Sequence, residues 1–138
     1  MKTLIVEDDF TSRLLLQELL KEYGAVHIAV NGIEAVAAVT AAMDAAEPYD
    51  LICMDIMMPE MDGSQALKAV RDMEEARGIT FGHGAKIFMT TSLDQVKNVG
   101  KAFRELCDAY LIKPIDKSKL LEHLQTFHLI GETCVSAD

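Results

Sequence analysis

Asp50-Leu51-Ile52-Cys53-Met54-Asp55-Ile56-Met57-Met58-Pro59-Glu60-Met61-Asp62-Gly63 sets an apolar run directly against a carboxylate. Leu51 to Met54 is too short to be a helix, and Pro48 stops the chain just before it, so the run reads as a buried strand. Four further runs of the same kind occur at Thr3 to Val6, Val26 to Val30, Ile87 to Thr90 and Tyr110 to Ile112. Each is bounded by turn signals, which makes five strand candidates.

The segments between them repeat apolar residues at helical spacing: Leu15, Leu16, Leu19 and Leu20; Ile33, Val36, Val39 and Met43; Ala66, Leu67, Val70 and Met73; Val96, Val99, Phe103 and Leu106; and Leu120, Leu121, Leu124 and Phe127. Each set forms a stripe on one helical face. Strict alternation of strand and helix requires parallel strands joined by right-handed crossovers, hence an α/β fold with helices on both faces of an open sheet. Asn31-Gly32 is a turn before the second helix, and Asp116 is placed to cap the last. The stretch from Arg77 to Gly84, with Gly78, Gly82 and Gly84 around Phe81 and His83, reads as a loosened connection before the fourth strand.

A chain of 138 residues, half of them hydrophobic, supplies one domain with one core. Its 22 acidic against 13 basic residues give a net charge of -9, which argues against binding nucleic acid through the phosphates. The amino terminus turns acidic after Val6, too early for a signal peptide or membrane span, so the expected location is cytoplasmic with no membrane partner. Cys53, Cys107 and Cys134 lack metal-ligand spacing and read as buried or idle thiols. The methionines at 54, 57, 58 and 61 read as packing residues, and His27, His83, His123 and His128 receive no function.

Ligands of open α/β sheets bind beyond the carboxyl ends of the strands. Here the first strand runs into Glu7-Asp8-Asp9, the third into Asp55, the fourth into Thr91-Ser92 and the fifth into Lys113-Pro114. Glu7, Asp8 and Asp55 would repel one another in a half-buried crevice unless a cation is present. Magnesium suits such a set, because it takes oxygen ligands, keeps several waters and commonly uses one or two carboxylates plus a phosphate. Minus three from the carboxylates is met by plus two from the metal and plus one from Lys113. A phosphoryl group added at Asp55 would meet donors near Thr91 and Ser92.

These residues, with the third-strand motif and Asp108-Ala109-Tyr110-Leu111-Ile112-Lys113-Pro114, make the chain resemble a two-component response regulator receiver domain, similar to the single-domain chemotaxis receivers. The resemblance spans about residues 2 to 128, giving a receiver domain over 1–128 and a short tail over 129–138. It implies a flavodoxin-like, doubly wound five-stranded parallel sheet of order 2-1-3-4-5, flanked by five helices. It implies further that Asp55 is the phosphoacceptor, Asp8 a direct Mg²⁺ ligand, Glu7 a ligand through water, and Met57 a donor of its backbone carbonyl. Thr91 matches the switch hydroxyl, since 22 residues separate it from Lys113, although Thr90 shifts the hydroxyl count. Lys113 would pair with the phosphoryl group, Tyr110 would report the modified state, and the Lys113-Pro114 bond would be cis.

The implied function is that of a stand-alone signalling phosphoacceptor, not an enzyme of the ordinary kind, that assists its own phosphorylation and dephosphorylation. Its phosphodonor would be a sensor histidine kinase or phosphotransfer protein, and its output an unknown protein engaging the face over 94–127. A pseudo-receiver, a binding module that works without phosphorylation, is the alternative. It would be expected to lack a member of the set Glu7, Asp8, Asp55 and Lys113, all of which are present. A flavodoxin needs a phosphate-cradling loop where this chain has Glu7-Asp8-Asp9. A haloacid-dehalogenase-like phosphatase needs an aspartate two residues beyond its nucleophile, where this chain has Met57.

Overall fold

A computed structural model of the protein describes residues 1–58, 60–80, 82–92 and 105–131. The apolar runs form five strands: β1 (Thr3–Val6), β2 (Val26–Ala29), β3 (Leu51–Asp55), β4 (Lys86–Thr91) and β5 (Ala109–Ile112). All pair in parallel in the order β2-β1-β3-β4-β5, as expected. Every residue of β1 and β3 is buried, whereas β2, on the edge, leaves Ile28 exposed. β2 stops one residue short of its apolar run, at Ala29, and three strands run slightly beyond theirs, β3 on to Asp55, β4 at both ends to Lys86 and Thr91 and β5 back to Ala109. Backbone bonding explains the earlier starts of β4 and β5: Lys86 N–H donates to the Asp50 carbonyl at 2.9 Å, and Asp108 N–H to that of Ile87 at 2.8 Å.

Among the described residues four helices cover the sheet: α1 (Phe10–Leu20), α2 (Gly32–Asp44), α3 (Gly63–Ala76) and α4 (Lys117–Thr126). The helix expected over Val96 to Leu106 falls almost wholly outside them. Each helix starts at a side-chain cap that accepts a backbone N–H, Asp9 from Ser12, Asn31 from Glu34, Asp62 from Gln65 and Asp116 from Ser118. At α3 the Gln65 side chain also accepts from the Asp62 N–H, a reciprocal capping box. Capping at this level is worth about 1 kcal/mol per helix.

Strand side chains alternate between two apolar layers. Leu4, Val6, Ile52, Met54, Ile87 and Met89 pack against Ala35 and Val39 of α2 and Leu67 and Val70 of α3. Ile5, Leu51, Cys53 and Phe88 pack against Leu16 and Leu20 of α1 and Leu120 and Leu124 of α4, with Leu129 and Ile130 added from beyond that helix. Each fully buried Leu, Ile or Phe contributes about 1.5 to 3 kcal/mol. Burial pushes the Cys53 thiol up to about 12, so it behaves as an apolar side chain.

One polar network is built into the amino-terminal end of the sheet. Arg71 on α3 donates to the Leu106 and Ala85 carbonyls, to Glu74 at 2.9 Å and to Asp108 at 2.9 Å. Glu74 in turn accepts from Ala85 N–H, and Asp108 from Ile87 N–H. Gly84 is needed beside it, since a Cβ there would overlap the Glu74 carboxylate. The described residues between Arg77 and Gly84 form neither helix nor strand, and this network fastens the end of that connection to α3. Replacing Arg71 with Leu strands two largely buried carboxylates, so Arg71→Leu is expected to cost about 3 kcal/mol or more in urea unfolding. An exposed control, Lys68→Leu, removes only the surface pair with Asp72 and should change stability by less than about 1 kcal/mol.

Candidate functional site

Register brings the acidic residues together before any side-chain detail is considered. Val6 is paired with Met54, so the next residues along β1 and β3, Glu7 and Asp55, leave the sheet side by side. Glu7 is fully buried and Asp55 nearly so, while Asp8 is exposed, and one oxygen from each of the three carboxylates lies within 4.8 Å of the others. From two strands away, Lys113 places its Nζ 2.9 Å from Glu7 Oε1 and 3.4 Å from Asp55 Oδ1. Lys113 N–H donates to the Thr91 carbonyl at 2.7 Å, and the Lys113-Pro114 bond is cis.

Electrostatics follow from this enclosure. Burial pushes the Glu7 carboxyl up to about 7, against the pull of the Lys113 hydrogen bond and with a smaller upward push from Asp55. Burial on its own would lower the Lys113 ammonium, but its hydrogen bond to Glu7 and the charges of Asp55 and Glu7 outweigh that and hold it above its ordinary value. Glu7 Oε2 also accepts the Asp9 N–H at 3.2 Å, and Arg13 donates to the Glu7 carbonyl at 3.1 Å. Asp9 itself is the α1 cap, lowered in pKa by the hydrogen bonds it accepts from Ser12.

The loop after β3 is held by backbone contacts that sequence reading missed. Gly63 N–H donates to the Ile56 carbonyl at 2.8 Å, and a Cβ on Gly63 would overlap the Asp55 carbonyl oxygen. Gly32 N–H donates to the Met61 carbonyl at 3.0 Å in the same fashion. A glycine as the first residue of both α2 and α3 was the available signal. Met57, the residue expected to lend a carbonyl, is 58% exposed.

The remaining predicted residues line the next strands. Thr91 is fully buried at the end of β4 and donates to the Ser92 carbonyl at 3.2 Å, while Ser92 is half-buried. Tyr110 is half-buried against the α2 and α3 layer, its hydroxyl oxygen buried and in contact with the Cys107 thiol. By strand alternation Thr91 and Tyr110 share that face of the sheet, whereas Glu7, Asp55 and Lys113 emerge towards α1 and α4. The structure therefore gathers Glu7, Asp8, Asp55 and Lys113 into one crevice and sets Thr91, Ser92 and Tyr110 beside it.

The model of the response regulator receiver domain matches residues 3–125, which takes in every one of these positions. The chain belongs to the response regulator receiver family. Chemotaxis protein CheY of Halobacterium salinarum is 34% identical to this receiver over 122 residues, covering 88% of this chain and 91% of that one. Other relatives are far longer, and the receiver spans only 7% of hybrid signal transduction histidine kinase B of Dictyostelium discoideum, at 34% identity over 93% of this chain. Among solved structures, the receiver domain of a Pseudomonas aeruginosa sensor histidine kinase, with a magnesium ion coordinated in its active-site cleft, superposes with a TM-score of 0.72. It is 25% identical, covering 91% of this chain and 95% of that one. Among the described residues no helix is long and apolar enough to cross a membrane.

The donor set of the crevice fits a hard divalent cation. Its side chains bring three carboxylates together, and two of the three are withdrawn from water with the Lys113 ammonium to offset them. The raised Glu7 also sets a pH dependence. A carboxyl whose folded value lies above its ordinary 4.5 favours the fold most when protonated, so its contribution is complete below about 4.5 and declines until about 7. In chelator-treated protein, unfolding free energy should fall across that window as pH rises. Glu7→Gln should flatten the slope, which denaturant titrations at successive pH values will measure.

Proposed function

We propose that this receiver accepts a phosphoryl group on Asp55. The observation that carries the reading is the position of the Asp55 carboxylate, nearly buried at the carboxyl end of β3 between Glu7, Asp8 and the Lys113 ammonium. An Asp55 oxygen attacks the phosphorus of a phosphohistidine on a sensor kinase or phosphotransfer protein. The new P–O bond forms as the P–N bond breaks, and its electron pair returns to the imidazole, which takes a proton from solvent. Positioning and charge neutralisation dominate such a transfer. Lys113 is placed to follow the incoming phosphoryl oxygens, since its Nζ already stands between Glu7 and Asp55.

Glu7, Asp8, Asp55 and the Met57 carbonyl would hold a magnesium ion, which when bound supplies positive charge to the phosphoryl oxygens. A phosphotransfer donor is consistent with a structural neighbour, the receiver domain of the response regulator Ssk1 of Saccharomyces cerevisiae, solved with the histidine phosphotransfer protein Ypd1. That domain is 27% identical to this chain with a TM-score of 0.74, covering 92% of this chain and 88% of that one.

Output in this reading passes through the Thr91 and Tyr110 pair to a partner on the face over 94–127, part of which lies outside the described residues. The Tyr110 hydroxyl oxygen is buried in this structure, and a phosphoryl group on Asp55 would act by shifting the balance between buried and exposed ring positions. Ser92, at the β4 end, would offer a donor to the phosphoryl oxygens.

Acetyl phosphate or phosphoramidate with magnesium is expected to add one phosphoryl group to the wild type and none to Asp55→Asn, read by intact mass. Equal labelling of the mutant would remove Asp55 from the role. Asp8→Ala should lower magnesium affinity on the order of tenfold or more, and Glu7→Gln should lower it less, as titration of the metal will establish.

A further inference from the structure

Thr90 places a second hydroxyl at the end of β4, on the opposite face of the sheet from that of Thr91, and the phosphoacceptor reading gives it no task. In the ladder between β3 and β4, Thr90 is the direct partner of Asp55, so the two side chains leave the same face of the sheet. The backbone ties them as well, because Ile56 N–H donates to the Thr90 carbonyl at 3.2 Å. On its other side Thr90 is paired with Leu111, and Lys113, two residues further on, returns to the face that Thr90 shares. Thr90 thus stands beneath the crevice, flanked by the phosphoacceptor and by the lysine.

Its side chain is fully buried, and its Oγ1 has no hydrogen-bond partner among the described residues. A buried hydroxyl without a partner destabilises a fold, and valine fills the same shape without that cost. A hydroxyl retained there makes physical sense if its partner arrives in another state of the protein. Such a state follows from the charges at hand. The Lys113 ammonium is shared between Glu7 Oε1 at 2.9 Å and Asp55 Oδ1 at 3.4 Å. A phosphoryl group on Asp55 draws that ammonium onto its own oxygens, and the carboxyl oxygen that Lys113 leaves then lacks a donor.

We propose that Thr90 is a positioning residue whose buried hydroxyl donates to the Asp55 carboxyl group once that residue carries its phosphoryl group. The inference rests on Asp55 being the phosphoacceptor. Thr3 supplies an internal comparison, since its Oγ1 is also buried without a partner but lies at the opposite end of the sheet.

The test uses the intact chain with beryllofluoride and magnesium, a stable mimic of aspartyl phosphate. Thr90→Val should raise the unfolding midpoint of the unmodified protein by about 3 °C and weaken beryllofluoride affinity by about fivefold. Thr90→Ser, which keeps the hydroxyl, should retain wild-type affinity. Thr3→Val should raise the midpoint and leave affinity unchanged. A wild type that does not respond to the mimic overturns the phosphoacceptor reading and this inference together. A responsive wild type matched by an equally responsive Thr90→Val overturns the inference alone, as does a Thr90→Val whose unmodified midpoint falls.

Discussion

Two carboxylates withdrawn from water and offset by one ammonium form the constraint on which the carboxyl end of the sheet is built. Glu7 and Asp55 emerge together because β1 and β3 are neighbours in register, and Lys113 reaches them from β5 across the end of β4. Removing charge from water costs several kcal/mol per ion, repaid only where the pairing is good. Here it is incomplete: the Lys113–Asp55 separation is 3.4 Å, and burial drives Glu7 to about 7 instead of leaving it a settled anion. A crevice in that condition favours any additional cation, and it tolerates a new anionic group only if the cations move to meet it.

The opposite end of the sheet solves a similar charge problem in the contrary way. Arg71 also faces two carboxylates, Glu74 and Asp108, but four of the five N–H donors of its planar fork are engaged, two of them by the carbonyl oxygens of Leu106 and Ala85. Each carboxylate accepts a backbone N–H besides. An arginine network so completed fixes α3, the start of β4 and the approach to β5 against one another. Lysine at the other end, a point charge on a flexible stem, leaves its site free to rearrange. Rigidity and responsiveness are thus divided between the two ends of the same strands.

Most of the fold and much of the crevice were legible in the sequence because both depend on local pattern. Apolar runs of strand length, helical stripes and a side-chain cap such as Asp116 each act within a few residues, and polar groups at strand ends mark the ligand-facing edge. The roles of Gly63 and Gly32 were not legible, because each depends on where the loop after β3 returns and not on neighbours in sequence. The Arg71–Asp108 pair spans 37 residues and could not be foreseen from spacing. The burial of the Thr90 hydroxyl was hidden for another reason: a threonine in a strand looks like β propensity until the partner of its Oγ1 is sought in three dimensions.

Cys53 gives this architecture a built-in gauge. It lies two residues before Asp55 in the same strand, fully buried among Leu16, Phe88 and Leu120, with a thiol that burial holds at about 12. Thiol reagents act on the thiolate, so while the core is closed this sulfur is protected both by its proton and by its enclosure. Its alkylation can proceed only through excursions that part α1 and α4 from the sheet, and its rate therefore counts how often the floor of the crevice opens. Half-buried Cys107, against Tyr110 on the other face, would register shallower motions. Two sulfurs on opposite faces of one sheet thereby separate breathing of the core from movement at its rim.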